Sequence, residues 1–325
     1  MNNQTYIWGH NRRYNDYTNY IKKHFNQRVQ KISINTGLGC PNRDGTITYG
    51  GCTYCNNQAF NPAYSSAAKT ITQQLNEGID FFAKKYKTQK YLAYFQSYTN
   101  TYADVETLKK LYIEALSHPK VIGLVIATRP DTVDDEKLGM IAELSEKFYI
   151  MIEYGVESTN NNTLKLINRG HDYETSVNTI IKTHNKGINV GAHLIIGLPD
   201  EDEEQILQHA CKLSQLPLTT LKLHQLQIIE GTKMALQYKK EPSLFNLFTI
   251  DNYINLIIDF LEILNPDIVV ERFTSESPVN ILIAPQWGGL KNFEIVDKID
   301  KKLIERNTWQ GRLTRFIHTK AKRIG

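Results

Sequence analysis

Cys40, Cys52 and Cys55 are three of the four cysteines in the chain, and they share one loop punctuated by Gly37, Gly39, Gly50 and Gly51. Thiolates are soft ligands suited to iron and zinc. A structural zinc site closes its tetrahedron with four protein ligands, whereas a [4Fe-4S] cluster on three cysteines leaves one iron open to an exogenous ligand. The glycines permit the tight turns that bring separated thiolates together. Zinc would need a fourth ligand such as His10 or His24. Cys211, far from the loop, reads as a small core residue.

Other side chains able to do chemistry stand near the ends of short apolar runs. Arg129 in Arg129-Pro130-Asp131, His193 and His224 are candidates to face a substrate, and each histidine reads equally as a satisfied barrel residue. Glu153 reads either as a ligand or as a buried structural acid. Asp200 to Glu204 is an acidic helix start favoured by the helix dipole and is assigned no chemistry.

The elements that must position these residues follow from hydrophobic period and punctuation. Strands are expected at Lys31 to Asn35, Tyr91 to Gln96, Val121 to Ala127, Tyr149 to Gly155, Asn189 to Ile196 and Thr220 to Ile228. Helices are expected at Ile71 to Tyr86, Asp104 to Leu116, Asp134 to Ser145, Asn160 to Ile167, Tyr173 to Lys186 and Glu203 to Leu213. Runs such as Val121-Ile122-Gly123-Leu124-Val125-Ile126 are apolar on both faces, as buried parallel strands are. The expected fold is α/β, a partial (β/α)6 TIM-like barrel with functional residues at the carboxyl ends of its strands. Residues 1–29 form an amino-terminal extension, 30–240 the core, and 241–325 a helix-rich basic extension.

Hydrophobic residues make up 41% of the 325 and charged residues 22%, ordinary values for a globular protein. No apolar run approaches the roughly 20 residues that cross a bilayer, and the start lacks a signal-peptide pattern, so the expected location is cytoplasmic with no membrane partner. Net charge is only +4, yet from Lys298 onward nine basic residues (Lys298, Lys301, Lys302, Arg306, Arg312, Arg315, Lys320, Lys322 and Arg323) face two acidic ones, Asp300 and Glu305. That stretch reads either as a surface for a phosphate backbone or as a solvated helix face.

Cysteines separated by eleven residues and then two, together with Tyr94-Phe95-Gln96-Ser97-Tyr98-Thr99-Asn100, Ile152-Glu153-Tyr154-Gly155-Val156-Glu157-Ser158 and Arg272-Phe273-Thr274-Ser275-Glu276-Ser277-Pro278, resemble the radical S-adenosylmethionine (SAM) enzymes of the YhcC/YtqA type, relatives of the radical domain of the Elongator catalytic subunit. The resemblance spans nearly the whole chain. It implies a [4Fe-4S] cluster on Cys40, Cys52 and Cys55 and SAM as second cofactor. It also implies Gln96, Ser97 and Thr99 at the SAM amino group, Glu157 at the ribose, Arg169 on the SAM carboxylate, and Ile196 and Leu198 beside adenine. Where many relatives carry Gly-Gly-Glu, this chain carries Gln96-Ser97-Tyr98-Thr99.

The same resemblance implies a tRNA substrate, with wobble carboxymethylaminomethyl-uridine converted to aminomethyl-uridine and Arg129 or Arg272 on the substrate carboxylate. An electron donor such as flavodoxin or ferredoxin and a downstream tRNA methyltransferase would be partners. Two other readings are a radical SAM oxidase or carbon-transfer enzyme acting on a small metabolite, and a non-catalytic, zinc-stabilised nucleic-acid-binding protein.

Overall fold

A computed structural model describes residues 5–56, 61–84 and 89–314. Residues 1–4, the expected helix end at Tyr86, and Arg315, Lys320, Lys322 and Arg323 of the basic stretch lie outside the described residues. In chain order the elements are α1 (Tyr17–Phe25), β1 (Val29–Ile34), α2 (Ile71–Ala83), β2 (Lys90–Phe95), α3 (Val105–Leu116), β3 (Val121–Thr128), α4 (Asp135–Ser145), β4 (Tyr149–Glu157), α5 (Asn161–Leu166), α6 (Tyr173–Asn185), β5 (Asn189–Ile196), α7 (Glu203–Leu213), β6 (Thr220–Gln225), β7 (Ile228–Ile229), α8 (Lys233–Lys240), α9 (Ile250–Ile263), β8 (Val269–Arg272), β9 (Leu282–Ala284) and α10 (Asn292–Glu305).

The chain divides into two compact units, Ile21–Val156 with Asn168–Ala192, and Met1–Tyr20 with Glu157–Ile167 and His193–Gly325. In the first, β1 to β4 are parallel neighbours, registered from Val29 opposite Lys90, Leu92 opposite Gly123 and Gly123 opposite Tyr149. Gly123 is required there, because a Cβ would stand 2.0 Å from the Tyr149 carbonyl oxygen. In the second, β6 pairs in parallel with β8, and β7 forms a short antiparallel ribbon with β9. The order along the main sheet is β1-β2-β3-β4-β5-β6-β8. This is the α/β fold of the partial TIM-barrel kind, with one parallel strand beyond the six expected.

Six consecutive helices begin where a short polar side chain captures a free backbone N–H. Thr70, Asp104, Asp134, Asn160, Asp172 and Asp202 cap α2 to α7 in turn. Apolar faces then bury against the strands: Leu75, Leu108 and Ile141 are buried in the first unit with Ile32, Leu92 and Leu124. In the second, Leu213, Ile257, Leu261 and Ile299 are buried from α7, α9 and α10, together with Leu221 and Leu223 of β6.

Candidate active site

The cysteine loop leaves β1 at its carboxyl end and folds back on itself. Arg43 N–H donates to the Cys40 carbonyl at 2.8 Å, Gly51 N–H to the Asn42 carbonyl at 2.7 Å and Cys55 N–H to the Cys52 carbonyl at 3.0 Å. Gly50 and Gly51 have positive φ, and a Cβ on Gly51 would press on Arg43. Cys52 is buried, whereas Cys40 and Cys55 are half-buried. Burial pushes the Cys55 thiol up to about 11; nearby Cys52 and Cys40 add to the rise and Arg43 opposes it. Cys55 therefore feels the other two sulfurs of the loop.

Nitrogen donors surround these sulfurs. Asn42 Nδ2 lies 3.5 Å from Cys52 Sγ, Arg169 Nη1 3.7 Å from the same atom, and Arg43 Nη1 3.8 Å from Cys55 Sγ. At Cys55 the Arg43 guanidinium favours thiolate, against the larger effect of burial. Among the described residues, no three His, Cys, Asp or Glu side chains are grouped as ligands of a single metal ion. His24 packs edge-on against Phe25 and Tyr149 at the amino end of β4, and His10 contacts Asp16 at 3.3 Å, so each expected zinc ligand has partners of its own.

Asn168-Arg169-Gly170-His171 clamps the loop from outside. Asn168 Nδ2 donates to Thr48 Oγ1 at 3.1 Å and to the Gly51 carbonyl at 2.9 Å, while Asn42 Nδ2 donates to the Asn168 carbonyl at 2.5 Å. Arg169, 6% exposed, reaches the Gly155 carbonyl with Nη2 and Cys52 with Nη1. Arg129 makes a bidentate pair with Asp131 at 2.9 and 2.6 Å and donates to the Arg169 carbonyl at 2.8 Å. Its fork is thus committed to holding the clamp, although Nη1 is buried without a hydrogen-bond partner among the described residues.

Gln96, Ser97 and Thr99 follow β2. Gln96 Oε1 accepts from Ser33 Oγ at 2.8 Å, Ser97 Oγ donates to Asn61 Oδ1 at 2.6 Å, and Thr99 N–H donates to the Gly39 carbonyl at 3.3 Å. This segment and the cysteine loop are consequently stitched together. Sequence reasoning missed Asn100, whose buried amide donates to the Phe95 and Ala127 carbonyls at 3.0 and 2.9 Å. Asn42 and Asn168 were missed likewise; for Asn42, an asparagine directly after proline in the cysteine loop was the available signal. Glu153 is 1% exposed and pairs with Lys31 at 2.8 Å, fitting its structural reading.

In the second unit, β4 ends on Glu157 with φ +67°, a left-handed conformation unusual for this residue type. Behind it lies a buried chain of polar contacts. Ser158 Oγ donates to Glu201 Oε1 at 2.5 Å, Glu201 faces His209 Nε2 at 3.2 Å, and His209 Nδ1 meets Thr159 Oγ1 at 2.7 Å. Within the acidic segment set aside as a plain helix start, only Asp202, Glu203 and Glu204 behave so, whereas Glu201 is 4% exposed and belongs to this network. Cys211 is half-buried on α7.

Ile196 and Leu198 are buried on either side of Gly197, whose φ of +90° favours glycine and where a Cβ would crowd the Phe248 ring at 3.2 Å. Arg272 closes β8, and its Nη2 lies 2.8 and 3.3 Å from the two His224 ring nitrogens. His193 lies against His224 with ring centroids 5.4 Å apart. One register step away, Lys222 pairs with Glu271 at 3.2 Å. Cationic and imidazole groups thus gather on β5, β6 and β8, and Arg272 Nε is buried without a hydrogen-bond partner among the described residues.

A family model described as the Radical SAM superfamily matches residues 34–212, and one described as the Radical_SAM C-terminal domain matches residues 218–305. The uncharacterized protein YtqA of Bacillus subtilis is 35% identical over 301 residues, covering 93% of this chain and 92% of that protein. A tRNA uridine(34) acetyltransferase of Methanocaldococcus infernus is 26% identical over 124 residues, 37% of this chain and 23% of the relative. Among solved structures, Elp3 of Methanocaldococcus infernus superposes with a TM-score of 0.66 at 16% identity, over 87% of this chain and 64% of that one.

Proposed function

The chain belongs to the radical SAM superfamily, and we propose that it modifies tRNA, converting a wobble carboxymethylaminomethyl-uridine to aminomethyl-uridine. Enzymes of this superfamily use a [4Fe-4S] cluster and S-adenosylmethionine, and the residues present fit both. Three thiols share one loop beside Arg43 and Arg169, whose charge offsets that of thiolate ligands. Cys40, Cys52 and Cys55 would hold the cluster. Gln96, Ser97 and Thr99 would meet the SAM amino group, Arg169 its carboxylate, Glu157 its ribose, and Ile196 and Leu198 its adenine. When bound, these groups supply an electron and a 5′-deoxyadenosyl radical able to remove a hydrogen atom.

The observation that carries the substrate reading is Arg272 with His224 and His193. Arg272 ends a sheet strand, Nη2 touches an imidazole, and buried Nε has an N–H still to place. A carboxylate accepts such N–H groups better than a neutral ligand does. Arg129, its fork already on Asp131, suits that role less. With the carboxylate held, the adjacent methylene would lose a hydrogen atom to that radical and one electron to the oxidised form of the donor, such as flavodoxin or ferredoxin. Water adds to the resulting imine, the carbon–nitrogen bond breaks, and the amine stays on the uridine while glyoxylate departs.

The likeness of part of the chain to a tRNA uridine(34) acetyltransferase supports the same substrate class. Transfer RNA from cells lacking the protein should accumulate the carboxymethylaminomethyl nucleoside at the expense of the aminomethyl form, read by liquid chromatography and mass spectrometry. An unchanged nucleoside profile overturns the assignment.

A further inference from the structure

A cavity of about 160 Å³ opens in the second unit where the chain leaves β6 and β8. Pockets for whole drug-sized ligands start at roughly 300 Å³, so this one suits a single planar ring. Trp287 forms one wall. Its indole Nε1 donates to the Phe248 carbonyl at 2.9 Å and its ring packs on Tyr253 with centroids 4.9 Å apart, so the wall is fixed before any ligand arrives. Gly288 and Gly289 continue it in left-handed conformations, and at each of them the space a Cβ would occupy is open to 4 Å.

Polar groups on the same lining are set at defined positions. Gln227 Oε1 accepts from Ser277 Oγ at 2.7 Å and from Ser275 Oγ at 3.2 Å, while Gln225 fixes the Ser275 backbone through two contacts at 2.9 Å. Both serine oxygens, donors in these bonds, keep acceptor capacity. Lys291, exposed, places a cation on the lining. A rigid aromatic wall, hydroxyl groups for a ring edge and a cation for a phosphate are the parts with which proteins hold an unstacked base of single-stranded RNA.

We propose that this cavity is a nucleobase subsite that seats one unstacked base of the substrate's single-stranded loop against Trp287. The inference rests on the tRNA reading above and adds a place where the RNA is gripped. Base stacking on the indole would quench its fluorescence. In a Trp8→Phe, Trp309→Phe variant, Trp287 is the remaining tryptophan. An anticodon stem-loop RNA should quench its emission saturably, while the same stem-loop with abasic loop positions should not. Trp287→Leu should weaken stem-loop binding about tenfold by fluorescence anisotropy, and Lys291→Gln, at an exposed position, severalfold. Because the quenching arm leaves Trp287 in place, a folding defect cannot imitate its result. Stem-loop binding without quenching, together with unchanged affinity in both variants, overturns the subsite and leaves the tRNA assignment standing. Absence of any stem-loop binding, with unchanged nucleosides in cells lacking the protein, overturns both.

Discussion

Arg169 shows how one side chain can join two parts of a site. Its guanidinium spans the Gly155 carbonyl and Cys52 Sγ at once, a geometry that needs separated N–H groups on one planar head. Lysine offers a single ammonium and cannot serve both positions. Because Arg169 is also proposed to hold the SAM carboxylate with its fork, Arg169→Lys should weaken SAM binding about tenfold while the iron content stays at the wild-type level, measured by calorimetry and iron assay on anaerobically prepared protein. Iron lost with SAM affinity would make Arg169 a support of the loop. Two residues on, burial and the charges of Arg169 and Arg129 push His171 down to about 3, against the pull of Asp131. In the unfolded chain a histidine takes its proton near 6.5. Between those values the unfolded state binds the extra proton, so folding stability falls as pH drops below about 6.5, by up to about 1.4 kcal/mol per pH unit for one proton. Urea unfolding at pH 7.5 and 5.5 should give a steeper loss for the wild type than for His171→Asn. Equal losses would remove His171 from the account.

At the scale of elements, Gly170 sits where the clamp meets the cysteine loop. It has φ +83°, and a Cβ would lie 2.4 Å from Asn42 Oδ1 and 3.3 Å from Arg129 Nη2. Neither neighbour can move freely, because Asn42 is held by Thr48 and Asn168, and Arg129 by Asp131. Gly170→Ala should thus cost about 1–3 kcal/mol of stability and lower the iron bound per chain, read by thermal shift and iron assay. Full iron loading with an unchanged melting temperature would show that the loop is set without the clamp. Much of the framework around this clamp was legible in the sequence, since β5 and α7 run exactly where hydrophobic period and the acidic start put them. Asp104, Asp134 and Asn160, read as first helical residues, act instead as caps, a one-residue difference that periodicity cannot resolve. Less visible was β8, whose run Ile268 to Val270 is too short to announce a sheet strand. Its place beside β6 comes from long-range pairing, which local pattern does not encode. The sharing of one loop by three thiols was legible from the sequence, whereas the Ser158, Thr159, Glu201 and His209 network depends on contacts more than forty residues apart.

For the whole molecule, the basic carboxyl-terminal stretch changes meaning once its neighbours are known. Lys301 pairs with Asp297 at 2.6 Å, Lys302 with Glu305 at 2.9 Å, and Arg312 with buried Glu262 at 3.1 Å, while Arg306 bonds Asp259. Four of the nine cations thus stand beside a carboxylate that cancels most of their field at a phosphate. The surface pairs add little stability, yet they remove those positions from an electrostatic footprint even when the side chains swing apart. Lys298 and the four cations outside the described residues, Arg315, Lys320, Lys322 and Arg323, are the positions proposed to meet RNA. Each phosphate contact on a single strand contributes about −0.7 to the slope of log affinity against log salt. All nine cations would give a slope of about −6, and five give about −3.5. Anisotropy titrations of the stem-loop between about 50 and 200 mM salt should therefore return a slope no steeper than about −4. Removing residues 315–325 should flatten it further, because four of the five remaining cations go with them. A slope of −6 or steeper would mean that the acidic partners are displaced when RNA binds, and that the stretch acts as one continuous phosphate-binding surface.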